Sequence, residues 1–336
     1  MEINLIKYFS FKRFANVIQI ITSFQISKIL RRPVVWGTPL SYSIEPTNFC
    51  NLKCPECPSG TGALTRPLGL MNFNTFKSII DEIKETGFYV QLYFQGEPFI
   101  NKELPQMLEY ARKNRVYTSI STNGILLKES LIKIILDNPP DKLIFSIDGL
   151  DEDTYQNYRY GGTFKEAEEG LKKFLSERKI RKMKIPFVEF QFIVMKQNEH
   201  QINDVIKYGK SLGIDKVTLK TMQVTSVESA KHFLPENPEY SRYIVDNNNL
   251  ILKSKLKNHC FALWRTAVIT WDGKVVPCCF DKDAKHNLGE LNGTGFKEIW
   301  KNEKYQGFRK QVLKNRKSID ICRNCTEGIK TNILEI

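Results

Sequence analysis

The chain has 336 residues, of which 41% are hydrophobic and 26% charged, and its formal net charge is +13. This length and balance favour one larger α/β domain with a smaller one appended, and they exclude a disordered chain or a membrane channel. The cationic excess would attract nucleic acid, an anionic membrane surface or an acidic substrate without choosing among them; no nucleic-acid-binding motif accompanies it, so no nucleic-acid partner is expected.

Residues 1–39 form a basic N-terminal segment. Lys7, Lys12 and Arg13 precede an apolar run over 17–26 that Gln19, Ser23 and Gln25 interrupt. The run is too short and too polar to cross a bilayer, and no small-residue cleavage site follows it. It predicts a basic amphipathic helix that caps the first domain or makes peripheral contact with a membrane or partner. From Leu40 onward, strands are predicted over 41–45, 89–95, 117–122, 142–147, 188–195 and 216–219. Helical spacing of apolar residues covers 73–85, 103–114, 129–137, 164–177 and 200–212. This order predicts a partial (β/α)6 barrel of the TIM type over 40–225, with its active site at the strand ends. The basic stretch 172–184 reads as a solvated helix face. Residues 226–257, with Pro235 and Pro238, read as a linker without assigned structure. A second, smaller domain spans 258–336, where Asp272-Gly273 between two apolar runs predicts a hairpin over 267–277.

The eight cysteines fall in two groups, one at 50–57 and one from 260 to 325. In a long chain without a convincing export signal, this grouping points to metal ligation instead of disulfides and to a cytoplasmic location. Cys50, Cys54 and Cys57 are spaced C-x3-C-x2-C in the loop after the first predicted strand. Three thiolates from one loop can converge on one centre, and on a 4Fe–4S cluster they would leave one iron open to an exogenous molecule. Zinc would ordinarily take a fourth protein ligand.

With its place after Ile44-Glu45-Pro46, this loop resembles the radical S-adenosylmethionine (SAM) superfamily, whose open iron binds the amino and carboxylate groups of SAM. Glu56 departs from the aromatic residue the family often has before the third cysteine. Gln95-Gly96-Glu97-Pro98 is similar to the superfamily's Gly-Gly-Glu-Pro motif, so Gly96, Glu97 and Pro98 are implied to hold the SAM ammonium group. A cation there needs acceptors, and a glycine lets backbone approach closely. Ser121-Thr122-Asn123-Gly124 and Ser146-Ile147-Asp148-Gly149 resemble the loops that face SAM. They nominate Ser121 and Asn123, with Ser146 as a ribose contact. Arg159 matches a position that in related enzymes binds the SAM carboxylate, for which a guanidinium fork is suited.

The C-terminal cysteines resemble a reduced SPASM or twitch domain. That resemblance implies Cys260, Cys278, Cys322 and Cys325 as ligands of a second, auxiliary 4Fe–4S cluster and leaves Cys279 over. Four cysteines would equally suit structural zinc, so this alternative stays open for the C-terminal group. The implied activity is reductive cleavage of SAM to a 5'-deoxyadenosyl radical, followed by abstraction of a substrate hydrogen. The implied partners are an unidentified substrate and a reducing donor such as flavodoxin or ferredoxin. Oxidation of a small molecule or glycoconjugate is the leading expectation. Ribosomal peptide maturation or epimerisation stands beside it, and a zinc-stabilised binding protein is the alternative of another class.

Overall fold

The computed structural model describes residues 7–253, 255–326 and 332–335. The remaining ends of the expected N-terminal segment and C-terminal domain, and one residue of the expected linker, lie outside them. Along the chain, α1 (Phe11–Leu30) precedes β1 (Ser41–Ile44), α2 (Pro58–Thr61), α3 (Phe73–Ile83), β2 (Tyr89–Gln91), α4 (Leu104–Lys113) and β3 (Tyr117–Thr122). There follow α5 (Glu129–Asp137), β4 (Lys142–Ser146), α6 (Glu152–Gln156), α7 (Phe164–Ile180), β5 (Phe187–Val194), α8 (Ile202–Ser211) and β6 (Lys216–Thr221). The last part holds α9 (Val227–Phe233), β7 (Tyr243–Asp246), β8 (Asn249–Leu252), α10 (Ala262–Arg265), β9 (Thr266–Ile269), β10 (Lys274–Val276), β11 (Gly289–Glu290), α11 (Phe296–Lys301), α12 (Glu303–Asn315), α13 (Asp320–Arg323) and β12 (Asn332–Glu335). The expected alternation of six strands with helices is therefore present in a mixed α/β chain, with β1, β2 and β3 paired in parallel in one part and β4, β5 and β6 in the other.

The chain packs as two compact units. One comprises Met1–Phe49, Leu64–Ser119 and Leu256–Glu327; the other comprises Cys50–Ala63, Ile120–Lys255 and Gly328–Ile336. In the first, β1 pairs in parallel with β2, and β2 with β3, setting Ser41 opposite Tyr89 and Tyr89 opposite Tyr117. The other side of β1 takes β9 in parallel, and β10 and β11 extend that edge antiparallel. The expected hairpin is there, with Gly273 at φ 81° in its turn. Helices α3 and α4 bury Phe76, Ile79, Ile80 and Ile83, and Leu104, Met107, Leu108 and Ala111, respectively. These are the positions that the 3.6-residue period nominates, and each large apolar side chain so buried contributes about 1.5–3 kcal/mol. The Asn72 side chain accepts the Thr75 amide and starts α3.

In the second unit, β4, β5 and β6 are parallel, with Lys142 opposite Phe187 and Glu189 opposite Lys216, and β12 joins β6 antiparallel. The region 226–257, read as a linker without assigned structure, holds α9 and the β7–β8 hairpin. Its turn uses Asn247 and Asn248, both at positive φ (43° and 63°), the conformation a two-residue hairpin demands and asparagine tolerates. The second strand is shorter than predicted. After Gln91 the Leu92 amide still reaches Ser119, but Tyr93 gives its carbonyl to the Ser43 hydroxyl (2.6 Å) and the chain turns at Gly96.

Candidate active site

The loop bearing Cys50, Cys54 and Cys57 is fastened from several sides within its own unit. Its local fold is a turn closed by the Cys57 amide on the Cys54 carbonyl (3.1 Å), after which Cys57 starts α2 with Pro58 in its first turn. Gly60 presses on the turn: a Cβ there would lie 2.6 Å from the Cys54 nitrogen. The Lys53 amide donates to the Tyr160 carbonyl (2.7 Å), and the Asn123 side chain donates to Asn51 Oδ1 (2.8 Å) while accepting the Ile125 amide. Asn123, nominated for facing SAM, thus also ties the end of β3 to the cysteine loop. Glu56 accepts hydrogen bonds from Thr225 (3.4 Å) and Ser229.

Arg159 is largely buried. Its Nε donates to Asp148 Oδ2 (2.7 Å), and Asp148 Oδ1 accepts the Ile193 amide from β5 (2.7 Å). Asn198 adds a hydrogen bond to the Asp148 carbonyl (3.0 Å). The guanidinium faces Cys54. Burial pushes the Cys54 thiol up, and the Arg159 charge works against that shift. Burial likewise opposes the charge of Arg159, and Asp148 followed by Cys54 more than offset it. Asp148 and Asn51 are contributors to which motif reading gave no role. Their signal was position, one beside the nominated Ser146 and one beside Cys50. Ser121 and Ser146 stand 3.2 Å apart at the ends of β3 and β4, and Gln191 reaches Ser146 from β5.

In the other unit, Gly96 has φ 76°, and a Cβ would lie 2.5 Å from the Phe49 carbonyl oxygen and 2.6 Å from that of Thr47. The Glu97 amide donates to the Phe49 carbonyl (2.8 Å), and its buried carboxylate accepts the Phe99 amide (3.3 Å) to open a short turn led by Pro98. Gly96 is required here because the backbone of residues 47–49 approaches it closely. Glu45 and Arg66 form a buried two-bonded ion pair (2.7 and 2.5 Å) that the Trp271 amide also joins.

The same unit gathers the C-terminal cysteines. Cys260, Cys322 and Cys325 are buried, Cys278 is half-buried and Cys279 is exposed. Burial pushes the Cys278 thiol up, and the nearby Cys279, Cys260 and Cys325 push it further. Arg316 donates to Cys325 Sγ (3.1 Å) and to the His259 carbonyl (2.9 Å). Thiols that raise one another's pKa are poorly placed as free thiolates and are stabilised by a cationic centre, so the donor set fits a thiolate-bound cluster. Among the described residues no three His, Cys, Asp or Glu side chains could share a single metal ion; a 4Fe–4S cluster asks instead for one thiolate on each iron.

Residues 44–209 match the family model of the radical SAM superfamily, and residues 260–326 match that of an iron–sulfur cluster-binding domain, SPASM. A tungsten-containing aldehyde ferredoxin oxidoreductase cofactor-modifying protein of Pyrococcus furiosus is 26% identical over 79% of this chain and 82% of its own length. The antilisterial bacteriocin subtilosin biosynthesis protein AlbA of Bacillus subtilis is 23% identical over 78% of this chain and 59% of its own length. Among solved structures, SuiB of Streptococcus suis bound to S-adenosylmethionine aligns at a TM-score of 0.61 and 17% identity, covering 88% of this chain and 70% of SuiB.

Proposed function

We propose, for a chain that belongs to the radical SAM superfamily and carries a SPASM iron–sulfur domain, that it is an enzyme oxidising an unactivated carbon of a small molecule or glycoconjugate. The family brings a 4Fe–4S cluster and SAM as cofactors, and the SPASM domain brings an auxiliary iron–sulfur cluster. When bound, these groups supply one electron and a 5'-deoxyadenosyl radical able to take hydrogen from such a carbon.

The chain's own residues have the positioning tasks. Cys50, Cys54 and Cys57 would hold the catalytic cluster, and the hydrogen bonds from Asn123 and to Tyr160 keep their loop in one shape. Arg159 would meet the SAM carboxylate, with Asp148 fixing the plane of its fork. Ser121 and Ser146 would meet the ribose. Gly96, Glu97 and Pro98 would offer acceptors to the ammonium group. Cys260, Cys278, Cys322 and Cys325 would hold the second cluster. With all four of these thiolates as ligands, that site would leave substrate no open iron and would suit acceptance of an electron, hence net oxidation. The observation that carries this reading is the Cys54–Arg159–Asp148 arrangement, which sets a fixed cation beside the cysteine loop. A reducing protein such as flavodoxin or ferredoxin would supply the electron.

Peptide maturation is the second reading, favoured by the bacteriocin-biosynthesis name of the Bacillus subtilis relative. Anaerobic reconstitution tests the common core. The chain should bind about eight irons and the joint Cys50→Ala, Cys54→Ala, Cys57→Ala variant about four. With dithionite and SAM, only the former should release 5'-deoxyadenosine. A triple variant that keeps its full iron load would overturn the assignment. Once substrate is in hand, a product lighter by a pair of hydrogens for each 5'-deoxyadenosine supports oxidation; unchanged mass with deuterium gained from D2O supports epimerisation.

A further inference from the structure

Helix α1 is packed inside out. The side turned toward its own unit carries Arg13, Asn16, Ser23 and Ser27 beside Ile20 and Phe24. The polar groups on that side are satisfied. Arg13 donates to the carbonyls of Tyr8, Lys84 and Arg115 (2.5, 2.7 and 2.9 Å), and Asn16 donates to that of Thr38 (2.8 Å). The opposite side carries Phe11, Phe14, Ile18, Ile21 and Ile29, which are 85, 51, 50, 45 and 79% exposed. Their spacing follows one stripe of a helix about 30 Å long. Aromatic side chains mark its ends: Phe9 packs on Phe11 and Phe14, and Trp36, 51% exposed, follows the helix.

The charges around the stripe choose its occupant. No Asp or Glu occurs from residue 3 to residue 44, while Lys12 and Lys28 flank the stripe on its two sides and Arg31 and Arg32 follow the helix. Lys12 shares a surface pair with Glu85, which is screened and weak. At the C-terminal end of α1 a cavity is lined by Lys28, Arg31, Lys310 and Lys314 together with Asn258, His259 and Leu313, with no acidic residue in the lining. A second copy laid on this face would bring the same cations together, at a repulsive cost. A bilayer with anionic headgroups offers apolar depth to the stripe and phosphates to the cations. No helix among the described residues is long and apolar enough to cross a membrane, so the helix would lie in the interface plane.

We propose that α1 seats the protein on an anionic membrane surface, with the stripe in the headgroup–acyl boundary and the basic cavity receiving a lipid phosphate. This stands independently of the reaction proposed above.

Flotation of the full chain, clusters in place, with phosphatidylcholine vesicles and with phosphatidylcholine–phosphatidylglycerol vesicles tests it. Binding to the anionic vesicles should exceed binding to the neutral ones by at least about tenfold and fall with salt, since each basic residue near the surface contributes ~1 kcal/mol. Ile18→Ser with Ile21→Ser should abolish binding at unchanged circular dichroism and iron content. Lys28→Glu with Arg31→Glu should erase the preference for anionic lipid, and Ile244→Ser, at an exposed apolar residue of the other unit, should change nothing. Absence of binding, equal binding to both vesicles, or a dimer in sedimentation that the Ile18→Ser, Ile21→Ser pair dissolves would each overturn the proposal.

Discussion

Arg159 and Arg316 are arginines turned toward cysteines, and they are held by different means. Arg159 is neutralised by Asp148, whose side chain is fully buried. Removing that carboxylate strands a cation, so Asp148→Ala should cost about 3–5 kcal/mol and lower the thermal midpoint of the anaerobic protein. Arg159→Lys keeps the charge and loses the fork. Its expected result is near-normal iron content with SAM affinity reduced about tenfold in equilibrium dialysis; an unchanged affinity would return Arg159 to a purely structural role. Arg316 points its hydrogen bond at Cys325 sulfur. Its replacement in Arg316→Met removes a cation and a donor from that sulfur, so the auxiliary couple should fall by on the order of 60 mV in a redox titration followed by electron paramagnetic resonance. A potential that does not move would mean that Cys325 is not a ligand.

At the scale of elements, the glycines that punctuate the loops differ in what they cost to replace. Gly96 and Gly62 both have positive φ (76° and 71°), yet a Cβ at Gly62 meets nothing within 4 Å whereas one at Gly96 strikes two carbonyl oxygens. Gly62→Ala should cost only the backbone strain, about 1 kcal/mol, and Gly96→Ala clearly more, about 3 kcal/mol; equal shifts in thermal midpoint would refute the close-approach account. The repeating strands and helices were legible because α3 and α4 bury the residues their period marks. α1 was legible as a helix and not in its orientation. Periodicity locates an apolar stripe, but Arg13 and Asn16 decide which side is inward through carbonyls of residues 84, 115 and 38, which no local pattern reveals. The β7–β8 hairpin was missed because Asn247-Asn248 is a weaker turn signal than the Asp272-Gly273 that announced β9–β10.

For the molecule as a whole, the pairing least accessible to sequence is β9 on β1, which puts the C-terminal strands in one sheet with the first ones. The cysteine sets were nominated by the spacing over 50–57 and by the resemblance of 260–325; a pairing across more than two hundred residues carries no such mark. Trp264 and Trp300 strengthen it by donating to the carbonyls of Val34 and Gly37 (2.8 and 2.9 Å), and Arg309 is stacked between Trp300 and Tyr305, 4.0 Å from each ring. Cutting the chain after residue 257 would bare the edge of β1, so the shortened protein should aggregate on expression; a soluble monomer retaining the catalytic iron would contradict this. Cys50, Cys54 and Cys57 are proposed to hold a cluster with one iron open to SAM. Electron paramagnetic resonance of the dithionite-reduced Cys322→Ala, Cys325→Ala protein, in which the catalytic cluster should dominate the signal, tests it most directly. The spectrum should change on adding SAM and disappear when Cys54→Ala is added; a spectrum indifferent to both would overturn the ligand assignment.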